Sequence, residues 1–133
     1  KINKNIMKNI NSILIKGFHC TNLILIIFYL YPGSILGYIL YNNTSIQPQI
    51  TRDFLISSNH FYAFAVLSII GIIAYHNTKK VDFLINYLFL LSFILEFFHM
   101  FIPNRSFEMR DLLGNIMGTV VVIVVYKTKQ KHE

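Results

Sequence analysis

The chain has a single cysteine, no tryptophan, three prolines and only 14% charged residues among its 133. One cysteine excludes an intramolecular disulfide and any multi-cysteine metal site. Cys20 reads instead as a small apolar residue in a helix. A soluble domain carries about 25% charged residues. A chain at 14%, with 54% hydrophobic residues and a mean hydropathy of +0.51, belongs to the membrane class. The missing tryptophan leaves any interfacial aromatic belt to tyrosine. No internal repeat, low-complexity tract or second domain is apparent. Lys, Asn and Ile are abundant throughout, as in proteins of AT-rich genomes, so scattered Asn is not a sign of function.

The net charge is +6, but it does not point to nucleic acid. The lysines sit at the ends of apolar runs rather than on a basic face, and topology accounts for that placement. Spanning a bilayer takes roughly 20 apolar residues, and four segments qualify. They are 13–31, 54–75, 81–102 and 109–126. Lys16 can snorkel from the first. Pro32-Gly33 bends or breaks the chain after it. "SILGYILY" (34–41) is too short to span, and either continues a bent helix or lies along the interface. "NNTSIQPQITRD" (42–53) is a polar loop, while "HNTKK" (76–80) and "PNRS" (103–106) are turns. The Lys-rich flank before the first span resembles a signal peptide, but no A-x-A-like site follows, which favours an uncleaved anchor.

The expected fold is therefore all-α: a polytopic four-helix membrane bundle (13–126) between a basic flank (1–12) and a basic tail (127–133). Every lysine (1, 4, 8, 16, 79, 80, 127, 129, 131) falls in or, for Lys16, one turn past the N-terminal flank, in the 76–80 turn or in the tail. Four spans put those three places on one side, and the positive-inside rule makes that side the cytoplasm. Arg52, Arg105 and Arg110 fall on the other side, each near an acid: Asp53, Glu108 or Asp111. Tyr29, Tyr31, Tyr38 and Tyr41 would form the outer belt, with Tyr75 and Tyr126 at the inner face.

Polar residues interrupt this pattern at one depth. His60 lies about two turns inside the second span, Glu96 and His99 lie near the outer end of the third, and Asp111 and Asn115 near the start of the fourth. Ser92, Glu96, His99 and Pro103 follow i, i+4, i+7, i+11, and Asp111, Asn115 and Gly118 follow i, i+4, i+7. Such intervals hold side chains on one stripe. A charge facing lipid costs at least about 2.5 kcal/mol, so both stripes should turn inward, with Arg105 hanging over them. Gly114 and Gly118, and Ser68 with Gly71, would admit a close helix neighbour.

Two uses of this cluster stand open. It is a functional pocket, or it is structural glue in which Glu96 pairs with Arg105 and His60 hydrogen-bonds Asn115. Glu96-x-x-His99 occurs once, whereas di-iron bundles use two such pairs. A single ion held by His60, Glu96, His99 and Asp111 is chemically feasible. The ligand order matches no strong spacing motif, however, so neither metal nor cofactor is expected. His19, His76 and His132 lie elsewhere and receive no role.

"NHFYAFAVLSIIG" followed by "EFFHMFIPNRSFEMRDLLGNIMG" resembles the VanZ-like family of small bacterial membrane proteins. His60, Glu96, Pro103, Arg105, Asp111, Asn115 and Gly118 fill the family's polar and turn positions in order. "LYPGS" (30–34) is similar to the Pro-Gly after its first helix. The likeness covers about residues 20–126, and His99 stands where the family more often has Gln. The family is named for a protein associated with teicoplanin resistance. The resemblance implies an envelope-related protein of the bacterial cytoplasmic membrane. Its ligand-binding residues would be His60, Glu96, Arg105, Asp111 and Asn115, and its ligand a lipid head group or cell-wall precursor. The runner-up is an intramembrane enzyme on a lipid-linked substrate, with His60 or Glu96 as general base and Arg105 as anion clamp. A third reading is an assembly partner. Ser57 and Ser58 lie near His60 but read as packing residues, so no nucleophile is evident.

Overall fold

The computed structural model describes residues 4–132, so residues 1–3 (Lys1 among them) and Glu133 lie outside the described residues. All regular structure there is helical: α1 (Lys4–Leu30), α2 (Ile35–Tyr41), α3 (Ser58–Tyr75), α4 (Val81–Phe98), a 3-10 turn (His99–Phe101) and α5 (Met109–His132). Four of these, α1, α3, α4 with its 3-10 extension, and α5, are long and apolar enough to cross a membrane. This is the architecture of a multi-pass membrane protein. Its surface fits that reading, because Leu23 and Ile27, Val66 and Ile69, Leu90 and Phe93, and Val121 and Val124 all face outward. A coat of that size on a water-soluble monomer would be an aggregation surface.

The core is built from Phe18, Leu25 and Tyr29 of α1, Phe64 and Leu67 of α3, and Leu84, Leu88, Leu91 and Leu95 of α4. The most extensive pairing is α3 on α5, and small residues explain it. A Cβ on Gly114 would stand 2.7 Å from the Ser57 carbonyl oxygen, and one on Gly118 would collide with the Phe61 carbonyl. The Gly-x-x-x-Gly spacing thus seats one backbone against the other. Gly71 gives similar room to Phe18 and Leu84, and Ser68 Oγ lies 3.4 Å from Thr119 Oγ1.

The basic segments gather at one end. Lys127 pairs with Asp82 at 3.6 Å, and His19 meets the Tyr75 hydroxyl at 3.0 Å. At that end the helices outrun the apolar spans. α1 already starts at Lys4, within the flank, and α5 carries the basic tail to His132.

At the other end the helices stop short. α3 begins at Ser58 rather than 54, because Asp53 Oδ1 accepts from the Ser58 amide at 2.8 Å and ends the loop there. Phe54 and Leu55, counted as span residues by their apolarity, lie outside the helix and are exposed. α4 ends at Phe98, which leaves Pro103 exposed in a turn rather than on the stripe of Ser92, Glu96 and His99. The Arg105 amide donates to the Ile102 carbonyl at 3.2 Å. Pro103 stands second in that turn, and Asn104 third with φ 61°, the composition of a type II turn. Residues 35–41 form a helix of their own, bounded by the Ser34 side chain, which accepts from Gly37 N, and by left-handed Asn42. Gly37 is required here, since any Cβ would overlap the carbonyl oxygen of Ile46.

Candidate functional site

The ends of the four spans opposite the basic segments meet at Asn115. This amide is fully buried and touches every other span. Its Nδ2 donates to the Ser92 carbonyl of α4 at 3.2 Å. Its Oδ1 accepts from the Tyr29 hydroxyl of α1 at 2.7 Å and from His60 Nδ1 of α3 at 3.1 Å. The Ser92 carbonyl can only accept, which fixes the amide's orientation, and the amide oxygen in turn makes His60 Nδ1 the protonated nitrogen. The expected His60–Asn115 bond is therefore present.

Above Asn115 the ionisable groups converge. His60 stands in the first turn of α3, not two turns deep, because α3 starts at Ser58. Its Nε2 faces Asp111 Oδ2 at 3.4 Å, and its Nδ1 lies 3.9 Å from Glu96 Oε2. Glu96 is fully buried in the last turn of α4. Its Oε1 accepts from the Glu108 amide at 3.0 Å, placing a carboxylate at the entrance of α5, where helix polarity favours it. Its Oε2 has no hydrogen-bond partner, although His99 Nδ1 is 3.3 Å away. His99 is held from its other nitrogen, with Nε2 donating to the Tyr29 carbonyl at 3.0 Å.

Arg105 departs from expectation. It does not pair with Glu96. Nε donates to the Tyr31 carbonyl at 3.2 Å, and Nη2 to those of Phe28 and Gly33 at 3.2 and 2.6 Å. These are the carbonyls left over where α1 ends, so the guanidinium caps that helix as a cation should. Burial pulls its pKa below the usual arginine value, and nearby Asp111 opposes the shift.

Sequence reasoning missed two contributors. Tyr29 was assigned to the aromatic belt, yet it is buried and stacks on His99 with ring centroids 5.8 Å apart. The i, i+7, i+11 stripe of Phe18, Leu25 and Tyr29 carried that signal. Asn59 also binds locally: Oδ1 accepts from Ile50 N at 3.0 Å, and Nδ2 donates to the Pro48 carbonyl at 2.6 Å. Ser58 Oγ donates to the Thr51 carbonyl at 2.6 Å, so both residues pin the 42–57 loop over the site. Asp53 does the same at Ser58, and that bond holds its carboxyl below its usual pKa.

Two cavities of about 530 Å³ each flank the cluster. One is polar and lined by His60, His99, Arg105, Asp111, Asp53 and Glu108 among others. The other is a largely apolar groove between α1, α2 and α3, with Ile24, Leu25, Phe28, Leu36, Leu40 and Val66 in its wall. They share Ser34, Gln47, Gln49, Asn59, His60 and Arg105. Neither curated proteins nor solved structures gave a match. The family model described as VanZ/LLP1 matches residues 6–130, a range that takes in all four spans and every residue of the cluster. With nearly the whole chain covered, the protein belongs to the VanZ/LLP1 family.

Proposed function

We propose that the protein binds an amphiphilic envelope component, a lipid or lipid-linked cell-wall precursor, at the outer face of a bacterial cytoplasmic membrane. The polar head would occupy the cavity beside His60, Glu96, Asp111 and Asn115. The hydrocarbon chain would lie in the groove between α1 and α3. The observation carrying this reading is the adjacency of the two cavities, which share six residues. A polar chamber opening into an apolar one of similar volume, each within the range of ligand sites, fits a molecule with one wet end and one oily end. The outward direction rests on the lysines. Reporters fused at residues 45 and 78 test it, and an outward 78 reverses the orientation.

The catalytic alternative retains His60 or Glu96 as base, and the 3.4 Å approach of His60 Nε2 to Asp111 favours it. It loses the clamp, because Arg105 Nε and Nη2 already serve carbonyls. Ser58 is likewise engaged with Thr51.

The test is native mass spectrometry of protein purified in mild detergent, combined with envelope-antibiotic sensitivity of cells carrying Asp111→Asn, Glu96→Gln or Arg105→Ala. Arg105→Ala should lower accumulation, since it uncaps α1. Asp111→Asn should accumulate normally, lose the co-purifying lipid and lose any sensitivity phenotype. Wild-type protein that carries no lipid, or an Asp111→Asn protein that keeps it, overturns the binding reading. Turnover of candidate lipids by purified protein would favour the enzyme. Loss of protein in all three variants would favour structural glue and an assembly role.

A further inference from the structure

The hydrogen bonds around the cluster assign its protons and leave a deficit. His60 Nδ1 donates to Asn115, so the neutral ring has only a lone pair on Nε2 to present to Asp111 Oδ2, 3.4 Å away. His99 Nε2 donates to the Tyr29 carbonyl, so the neutral ring likewise turns a lone pair on Nδ1 toward Glu96 Oε2 at 3.3 Å. Four acceptor atoms therefore face one another in two pairs. Glu96 Oε2 is buried with no hydrogen-bond partner. The neighbouring cation, Arg105, spends its Nε and Nη2 bonds on main-chain carbonyls. Asp53 and Glu108 add more acid to the same cavity. Buried carboxylates in this setting demand a positive partner.

Extra protons on the histidines fit poorly. A charge-assisted N–H···O bond runs about 2.7–2.9 Å, and both gaps are longer. The His60–Asp111 gap of 3.4 Å does fit the spacing between two ligands of one ion. Donors held about 2.1 Å from a tetrahedral ion stand about 3.4 Å apart. One donor atom each from His60, Glu96 and Asp111 lies within 4.8 Å of the other two, a span that a single ion bridges with small side-chain adjustment. Asn115 occupies the outer position that ligating histidines typically require. It holds the opposite ring nitrogen as N–H and aims Nε2 at the site.

We infer that His60, Glu96 and Asp111 form a site for one divalent transition-metal ion of the Zn²⁺ or Mn²⁺ type, with His99 Nδ1 beside Glu96 but outside the ligand group. Imidazole among the ligands favours Zn²⁺ over Ca²⁺ or Mg²⁺, and the two carboxylates also admit Mn²⁺. The ion also offsets most of the negative charge of this acid-rich cavity, which lowers its repulsion of a phosphate or carboxylate head group. The site stands independently of the lipid reading, because the ion is held by protein groups alone.

The experiment uses full-length protein in detergent, stripped with chelator and dialysed separately against Zn²⁺, Mn²⁺ and Mg²⁺. Metal content is measured by elemental analysis and affinity by calorimetry. A His132→Ala, His76→Ala background removes surface histidines. One Zn²⁺ or Mn²⁺ per chain is expected. Asp111→Asn and Glu96→Gln, checked for helicity by circular dichroism, should each weaken it about tenfold or more, since even outer-sphere changes do so. Mg²⁺ should bind far more weakly. Sub-stoichiometric metal, or unchanged affinity in a folded Asp111→Asn protein, overturns the site. A lipid-free protein that still takes up the ion separates this result from failure of the lipid reading.

Discussion

Replacing Asn115 with alanine should destabilise the bundle more than any other single truncation of a polar side chain near the site. The amide binds Tyr29 of α1, His60 of α3 and Ser92 of α4 while itself belonging to α5. Interhelical hydrogen bonds in membranes average about 0.6 kcal/mol, so three amount to about 2 kcal/mol. The loss grows where the partners are stranded. The Tyr29 hydroxyl is buried, and an unsatisfied buried donor costs about 1–3 kcal/mol. Together the change should reach about 2–4 kcal/mol, and its lower end already shifts the folding equilibrium about thirtyfold. Reversible unfolding in mixed detergent micelles measures it. Tyr29→Phe removes one of the three bonds and should cost about 1 kcal/mol or less. In the Asn115→Ala background, Tyr29→Phe should recover about 1–3 kcal/mol, because it removes the stranded hydroxyl. An Asn115→Ala protein within about 0.5 kcal/mol of wild type, or strict additivity with Tyr29→Phe, would refute the claim that this residue ties the four spans together.

Two further outcomes follow from the packing and the loop. Gly118→Val drives a side chain into the Phe61 carbonyl and should cost upward of about 3 kcal/mol, read by the same unfolding assay. Gly17→Val, where nothing lies within 4 Å, is the matched control and should be near neutral. Asp53 has a lowered pKa because the Ser58 amide bonds its carboxylate. Its contribution is therefore present above the unfolded value of about 3.9 and fades as pH falls through the lower folded value. Asp53→Asn should match wild type below that point and fall slightly short of it at neutral pH, by well under about 1 kcal/mol given its exposure. A wild-type-minus-variant difference that grows on acidification would contradict this sign.

The bundle was legible because a bilayer asks for long apolar runs, and the chain supplies four. What apolarity could not report was where helices end. Phe54 and Leu55 are as greasy as any span residue, yet α3 starts only after them, where Asp53 accepts from the Ser58 amide, and His60 consequently sits at the rim. Pro103 had a stripe-like interval from His99 but belongs to a turn, since intervals count only while the helix lasts. The stripes of α4 and α5 did predict which groups meet: Ser92, Glu96 and His99 are buried together with Asn115. The first span escaped notice because it contributes a tyrosine hydroxyl and three orphan carbonyls rather than a charge. Arg105 was misread for the same reason. Its partners are main-chain oxygens, which no side-chain pattern advertises.

Structural glue and a binding pocket make different demands on the same residues, and the cluster separates them by depth. Its lower tier is closed. Asn115 has partners for both amide atoms, Tyr29 donates downward, and Arg105 seals the end of α1. Those bonds specify the bundle, and a purely structural role accounts for them. The upper tier is not closed. His60 Nε2 faces Asp111 across 3.4 Å, and Glu96 Oε2 is buried without a hydrogen bond. Glue would be better served by apolar residues there, since an unpaired buried carboxylate weakens a fold. His60 and Asp111 also border the polar cavity, with Glu96 buried directly behind His60. The bonds around Asn115 are complete while Glu96 above them is not, and that contrast is what supports the proposed cation site at the mouth between α3, α4 and α5.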